Sequence, residues 1–134
     1  MTQLRVSQVA RLLGVSSDTV RRLISAGTLS GAPDAAGRTA VSGESVAAYA
    51  RSRSEPGSDG SRVSARNRLE GIVTEVKTDG VMAQVEVAAG AFRLTSLMTR
   101  DAAEEMRLAP GVPATVVVKA TNAVVELGEI IDER

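Results

Sequence analysis

The stretch RSRSEPGSDGSRV (51–63) constrains this chain more than any other feature. It is polar and rich in Ser, Gly and Pro, a composition that favours a flexible tether over a packed element. It lies near the middle of 134 residues, so each flank must fold as a small unit in which burial of surface is marginal. The flanks also differ in period. Apolar residues before the stretch recur at helical spacing, and those after it mostly alternate as in strands. The expectation is an α+β chain of two units, the first mostly helical and the second a β structure.

In the first flank, Val6, Val9, Ala10, Leu12 and Leu13 fall at helical spacing, Ser7 is a plausible N-cap and Gly14 a C-cap. Ser16 or Ser17 then caps a second short helix, with Asp18 in its first turn, Val20, Leu23 and Ile24 on its apolar face and Gly27 at its end. Two helices of about two turns joined by a tight turn at Gly14-Val15 are a helix-turn-helix pattern. GAPDAAGRTAVS (31–42), with turn residues at Pro33-Asp34 and Gly37-Arg38, reads as a small hairpin or wing. Ser42 then caps a third helix, in which Val46, Ala47, Tyr49 and Ala50 are free to pack back.

Composition removes whole classes of chemistry. The chain has no Cys, His or Trp, hence no disulfide, thiolate nucleophile, imidazole relay or Cys/His zinc site. Only Tyr49 and Phe92 could stack on a base. No nucleophile–base pair stands out, so an enzyme is not expected. No apolar run reaches the roughly 18 residues that span a bilayer, and MTQLRVSQVA lacks the apolar core of a signal peptide, so a cytoplasmic protein with no membrane partner is expected. The zero net charge conceals a split. Residues 1–62 carry eight Arg against five acids, and residues 63–134 eight bases against eleven acids. Two halves of opposite sign suggest two different partners.

The segment VSQVARLLGVSSDTVRRLISAGTL (6–29), with Arg38 and residues 42–51 after it, resembles the winged helix-turn-helix of the MerR/excisionase superfamily. It lacks the Arg-Tyr-Tyr run of true MerR regulators, having Arg22-Leu23-Ile24 instead, and is nearer the small excisionase-like branch. The resemblance implies binding of double-stranded DNA, with the second helix in the major groove. Its exposed face would present Ser17, Thr19, Arg21 and Arg22, beside Asp18, to phosphates or base edges, and Arg38 on the wing would reach the backbone or minor groove.

The second flank reads as five short strands and one helix. Leu69–Thr78 ends at the hairpin signal Asp79-Gly80. Val81, Ala83, Val85 and Val87 then alternate with Met82, Gln84, Glu86 and Ala88. Phe92–Leu97 is a third strand. TRDAAEEMRL (99–108) is a helix capped by Thr99 and broken by Pro110-Gly111, and Thr115–Ala120 and Ala123–Leu127 are the last two strands. The count predicts a five-stranded OB-like β barrel with one helix. So small a barrel with few large side chains should need a partner chain, at least a homodimer.

Ser64-Ala65-Arg66-Asn67-Arg68-Leu69-Glu70-Gly71 resembles the SARNxLxG signature of the Mop, or TOBE-type, molybdate-binding domain family (molbindin-like). Arg93-Leu94-Thr95, Thr99, Pro110-Gly111 and Lys119-Ala120-Thr121 follow in the family's order. Ala102 and Arg107 depart from it, standing where relatives often have Ser and Gly. The resemblance implies that molybdate or tungstate binds at an interface between subunits, in assemblies up to a hexamer. Ser64, Arg66, Thr99, Lys119, Ala120 and Thr121 would supply hydroxyl, charged and backbone donors to the dianion. No side chain would ligate the metal directly. The domains expected are 1–52, a linker 53–62 and 63–134. Together they suggest a molybdate- or tungstate-responsive DNA-binding transcriptional regulator, with the logic of ModE-type regulators. The alternative is a molybdate storage or homeostasis protein with the helix-turn-helix as an accessory module.

Overall fold

The computed structural model describes residues 2–53 and 67–128. The chain divides into two compact units, the second taking residues 57–124. No helix among the described residues is long and apolar enough to cross a membrane.

The first unit runs β1 (Gln3–Arg5), α1 (Val6–Leu13), α2 (Ser17–Ser25), β2 (Gly31–Pro33), β3 (Thr39–Ser42) and α3 (Gly43–Arg53). The stripe Val6, Val9, Ala10 and Leu13 faces inward from α1, while Leu12 lies off that stripe and is 58% exposed. Gly14 takes φ 69°, and its N–H closes on the carbonyls of Ala10 and Arg11. This left-handed cap, which glycine adopts without steric cost, turns the chain straight into α2. The Ser16 hydroxyl accepts from Thr19 N–H at 3.1 Å and is the N-cap of α2. Ser7 is not a cap. It is the second residue of α1, whose N-cap position falls on Arg5, because Arg5 is paired to Ala40 in the sheet and the helix follows at once.

β3 lies between β1 and β2, both antiparallel to it, with Leu4 opposite Val41 and Ala32 opposite Ala40. Ser42 then accepts from Ser45 N–H and starts α3. Val20 from α2, Leu29, Val41 and Val46 join the α1 stripe in one core, against which Leu23, Ile24 and Tyr49 pack. The 31–42 segment is thus a hairpin held on a three-helix core.

The second unit contains β4 (Asn67–Thr78), β5 (Met82–Ala89), β6 (Phe92–Thr99), α4 (Arg100–Glu105) and β7 (Pro113–Val118), followed by a 3-10 turn at Ala120–Asn122. Its sheet has the order β6-β5-β4-β7 and curls into a half-barrel. β5 alternates as its sequence predicts, with Ala83, Val85, Val87 and Ala89 buried. β4 changes phase midway. Val73 and Val76 both face the core because the register slips between Val73 and Glu75, a bulge that inserts one residue and bends the strand. β4 is shared in two halves, residues 67–72 pairing with β7 and residues 72–78 with β5. Gly71 sits where those halves meet. A Cβ there would lie 2.3 Å from the Ala88 carbonyl oxygen, so only glycine fits.

The expected five-stranded barrel is corrected to four strands among the described residues. The 3-10 turn redirects the chain after β7, and residues 123–128 join no strand. Val124 is 94% exposed. Among the described residues β6 and β7 form the sheet's edges. An apolar cavity of about 160 Å³, lined by Val85, Val87, Met98, Leu108 and Val116 among others, opens on the concave side.

Candidate functional sites

In the first unit, helix geometry separates the exposed residues of α2 into two sets. Ser17 and Arg21, one turn apart, line a concavity of about 420 Å³. Arg5 and Ser7, from the β1–α1 junction, and Gly37 and Arg38, from the hairpin turn, line the same concavity. Three arginines from three separate elements therefore line one notch. Thr19 and Arg22 do not line it. They form a chain along the helix, in which Arg22 Nη2 donates to Thr19 Oγ1 at 3.1 Å and Thr19 Oγ1 lies 2.9 Å from Ser16 Oγ. Asp18 stands 3.9 Å from Arg21, an exposed pair of the kind that contributes little to stability.

The hairpin turn is organised by Asp34. Its Oδ1 accepts from Ala36 N–H at 2.9 Å and from Arg38 N–H at 3.0 Å. Its Oδ2 takes a charge-assisted bond from Arg5 Nη1 at 2.5 Å. The Arg5 guanidinium first, and the Arg38 backbone N–H next, hold the Asp34 carboxyl below the usual carboxylate range. The tie between β1 and the turn was not legible in the sequence, which showed Asp34 only as a turn former and Arg5 only as part of a charge surplus. The register of β1 on β3 is what brings them together.

In the second unit, Thr99 is the N-cap of α4, accepting from Ala102 N–H at 3.1 Å. The same hydroxyl can also donate, and no acceptor among the described residues takes that hydrogen. Lys119, Ala120 and Thr121 are exposed in and beside the 3-10 turn. Ser64 and Arg66 lie outside the described residues. The sheet register places Thr99 and the Lys119 segment far apart. Thr99 pairs with Met82, beside the Asp79 turn at the far end of β4. Lys119 follows Val118, which pairs with Asn67, the first residue of β4. The length of β4 therefore separates them, on the order of 30 Å of strand. One chain does not bring both groups to one small anion.

The Asp79 turn has its own organiser. Asp79 Oδ1 accepts from Met82 N–H at 2.7 Å and Val81 N–H at 2.8 Å, and these two bonds, in that order, lower its pKa. Among the described residues, no group of three His, Cys, Asp or Glu side chains could hold a metal ion. The donors at hand are guanidinium, ammonium, hydroxyl and backbone N–H, which suit oxyanions.

Comparison with known proteins agrees with this division. Residues 4–54 match the model of a helix-turn-helix domain, and residues 63–125 match that of the TOBE domain. The molybdenum-pterin-binding protein MopA of Rhodobacter capsulatus is 40% identical over 73 residues, which are 53% of this chain but 27% of MopA. The chain thus spans about a quarter of the length of MopA. Molybdenum-pterin-binding protein 2 of Clostridium pasteurianum is 38% identical over 64 residues, 47% of this chain and 94% of that protein. Among solved structures, a molybdate-binding protein from Sporomusa ovata is 33% identical, covering 50% of this chain and all (100%) of that one, with a TM-score of 0.48. Through residues 63–125 the chain belongs to the TOBE-domain family of Mop proteins, and it carries a helix-turn-helix domain of the MerR/excisionase-like kind ahead of them.

Proposed function

We propose that this chain is a cytoplasmic, molybdate- or tungstate-responsive DNA-binding transcriptional regulator that oligomerises through its TOBE domain. The observation that carries the reading is the union, in one chain, of a helix-turn-helix domain with a TOBE domain whose relatives are molybdenum-pterin-binding proteins. In this reading the β2–β3 hairpin is the wing, α2 enters the major groove, and Ser17, Thr19, Arg21, Arg22 and Arg38 contact DNA. The enzyme class is set aside because neither matched family is catalytic.

The oxyanion is assigned to a site shared between copies. Thr99 of one subunit and Lys119, Ala120 and Thr121 of another would face the same dianion, with Ser64 and Arg66 completing it. The separation of Thr99 from Lys119 along β4 supports a shared site. So does the chemistry of the set, which contains donors and positive charge and no carboxylate. Among the described residues β6 and β7 form the sheet's edges, and Leu97, Val117 and Val124 of that unit are exposed, which supports a second copy, because a small sheet gains most from covering such surface. Ligand at that interface biases how two DNA-binding units are presented, which is the coupling a regulator needs.

Calorimetric titration with molybdate, tungstate and sulfate tests the reading. Binding of the first two at micromolar concentration is expected, and absence of any binding overturns the sensor role. The second reading, a storage protein with the helix-turn-helix as an accessory, draws support from the match to nearly the whole of molybdenum-pterin-binding protein 2. Saturating uptake of molybdate by a chain that binds no duplex would select it.

A further inference from the structure

The notch between the β1–α1 junction, α2 and the hairpin turn has a composition suited to the DNA backbone. Its polar lining is Arg5, Ser7, Ser17, Arg21, Arg38 and Thr39, three arginines and three hydroxyls with no carboxylate among them, a donor set that suits a phosphate. The volume, about 420 Å³, is larger than a single small ion needs. The Arg38 side that closes the notch is not set by sheet pairing alone. Asp34 fixes it through the N–H groups of Ala36 and Arg38, and ties the turn back to β1 through Arg5.

Resting on the DNA-binding reading above, we propose that this notch seats a phosphate of the DNA backbone between Arg21 and Arg38. Asp34, an acid beside a polyanion, is the positioning residue that holds the Arg38 side in place. Arg5 is neutralised by Asp34 and adds little net charge to the seat, and the turn itself is held by the two N–H bonds to Asp34 Oδ1. The notch sets register and affinity, while sequence readout belongs to the other face of α2, where Thr19 and Arg22 stand.

The sign of one substitution separates this from ordinary electrostatics. Removing a carboxylate near DNA normally strengthens binding. Here Asp34→Ala takes away the acceptor of two backbone N–H groups and frees the turn, so binding weakens. The test is fluorescence anisotropy of the full chain on a mixed-sequence duplex across a salt series. Each phosphate contact contributes about 0.9 to the slope of log affinity against log salt. Arg21→Ala and Arg38→Ala should each lower that slope by about 1. Asp34→Ala should lower it similarly. Asp34→Asn keeps an oxygen for Ala36 and Arg38 and releases Arg5, and should retain at least the wild-type slope. Tyr49 emission, from a side chain packed against the same unit's core, reports whether each variant is folded.

If Asp34→Ala binds as tightly as wild type with an unchanged slope, or if Asp34→Asn is as impaired as Asp34→Ala, the positioning role is wrong. Unchanged slopes in both arginine variants remove the phosphate seat and leave DNA binding standing. A wild-type chain that binds no duplex removes the DNA-binding reading itself.

Discussion

Replacing Gly71 with alanine should destabilise the second unit, against the trend for glycine in strands. A strand-interior Gly→Ala change ordinarily gains roughly 0.5–1 kcal/mol by reducing the freedom of the unfolded chain. At Gly71 the new Cβ would sit 2.3 Å from the Ala88 carbonyl oxygen, 2.9 Å from the Ala88 carbonyl carbon and 2.9 Å from Val87 Cγ1. Real Cβ atoms essentially never come within 3.0 Å of another heavy atom, and two of these three neighbours are backbone. Strands β4 and β5 must therefore separate at the point where β4 passes from its β7 pairing to its β5 pairing. Overpacking of this sort costs about 1–3 kcal/mol, enough to exceed the entropic gain. In a unit of this size that lowers the melting temperature by on the order of 10 °C. Far-UV circular dichroism at fixed protein concentration measures the sheet. Tyr49, the chain's single tyrosine, packs against the first unit's core, so its emission follows that unit separately. The expected result is an earlier loss of the β signal with the Tyr49 transition unmoved. A variant whose β signal melts at or above the wild-type temperature would refute the close-approach argument.

Arg107 adopts φ 53° at the end of α4, where its N–H and that of Leu108 close on Glu104 and Ala103. Arg107→Gly removes the left-handed penalty and should stabilise the unit by about 1 kcal/mol, read as a raised denaturation midpoint. Asp79, whose folded pKa is depressed, contributes stability above its unfolded value near 3.8. That contribution is lost as pH falls through the lower folded pKa, so a carboxyl NMR titration should give a midpoint below 3.8 and Asp79→Asn should flatten the acid limb of the stability curve. Thr99→Asp keeps the cap of α4 but sets a carboxylate against an oxyanion, and Lys119→Ala removes a cation. Each alone should abolish molybdate binding. Random mixing of the two in a two-fold dimer should restore about a quarter of the sites, whereas no restoration would place the site within one chain.

The parts of the structure that rest on local rules were legible beforehand. Gly14, the Ser16 cap, the α1 stripe, the alternation of β5 and the cap at Thr99 each follow from a few adjacent residues. Where long-range register decides, the sequence was silent. Ser7 looked like a cap because a serine precedes an apolar run, but the pairing of β1 with β3 starts the helix one residue after Arg5. Residues 123–127 read as a strand because Val124 and Val125 are good strand formers, yet the chain leaves β7 through the 3-10 turn at Ala120–Asn122 and residues 123–128 take part in no strand pairing. The same holds for the sites. Donor types could be picked out along the chain, but only the register shows that Arg5, Arg21 and Arg38 meet and that Thr99 and Lys119 do not.

The central claim is coupling between an oxyanion and DNA. It is tested most directly by measuring duplex affinity at one fixed salt concentration, with and without saturating molybdate, using sulfate as the ionic-strength control. The account predicts a shift of roughly 5- to 150-fold with molybdate, the usual range of allosteric coupling, and none with sulfate. Superimposable isotherms from a chain that demonstrably binds both molybdate and DNA would contradict it.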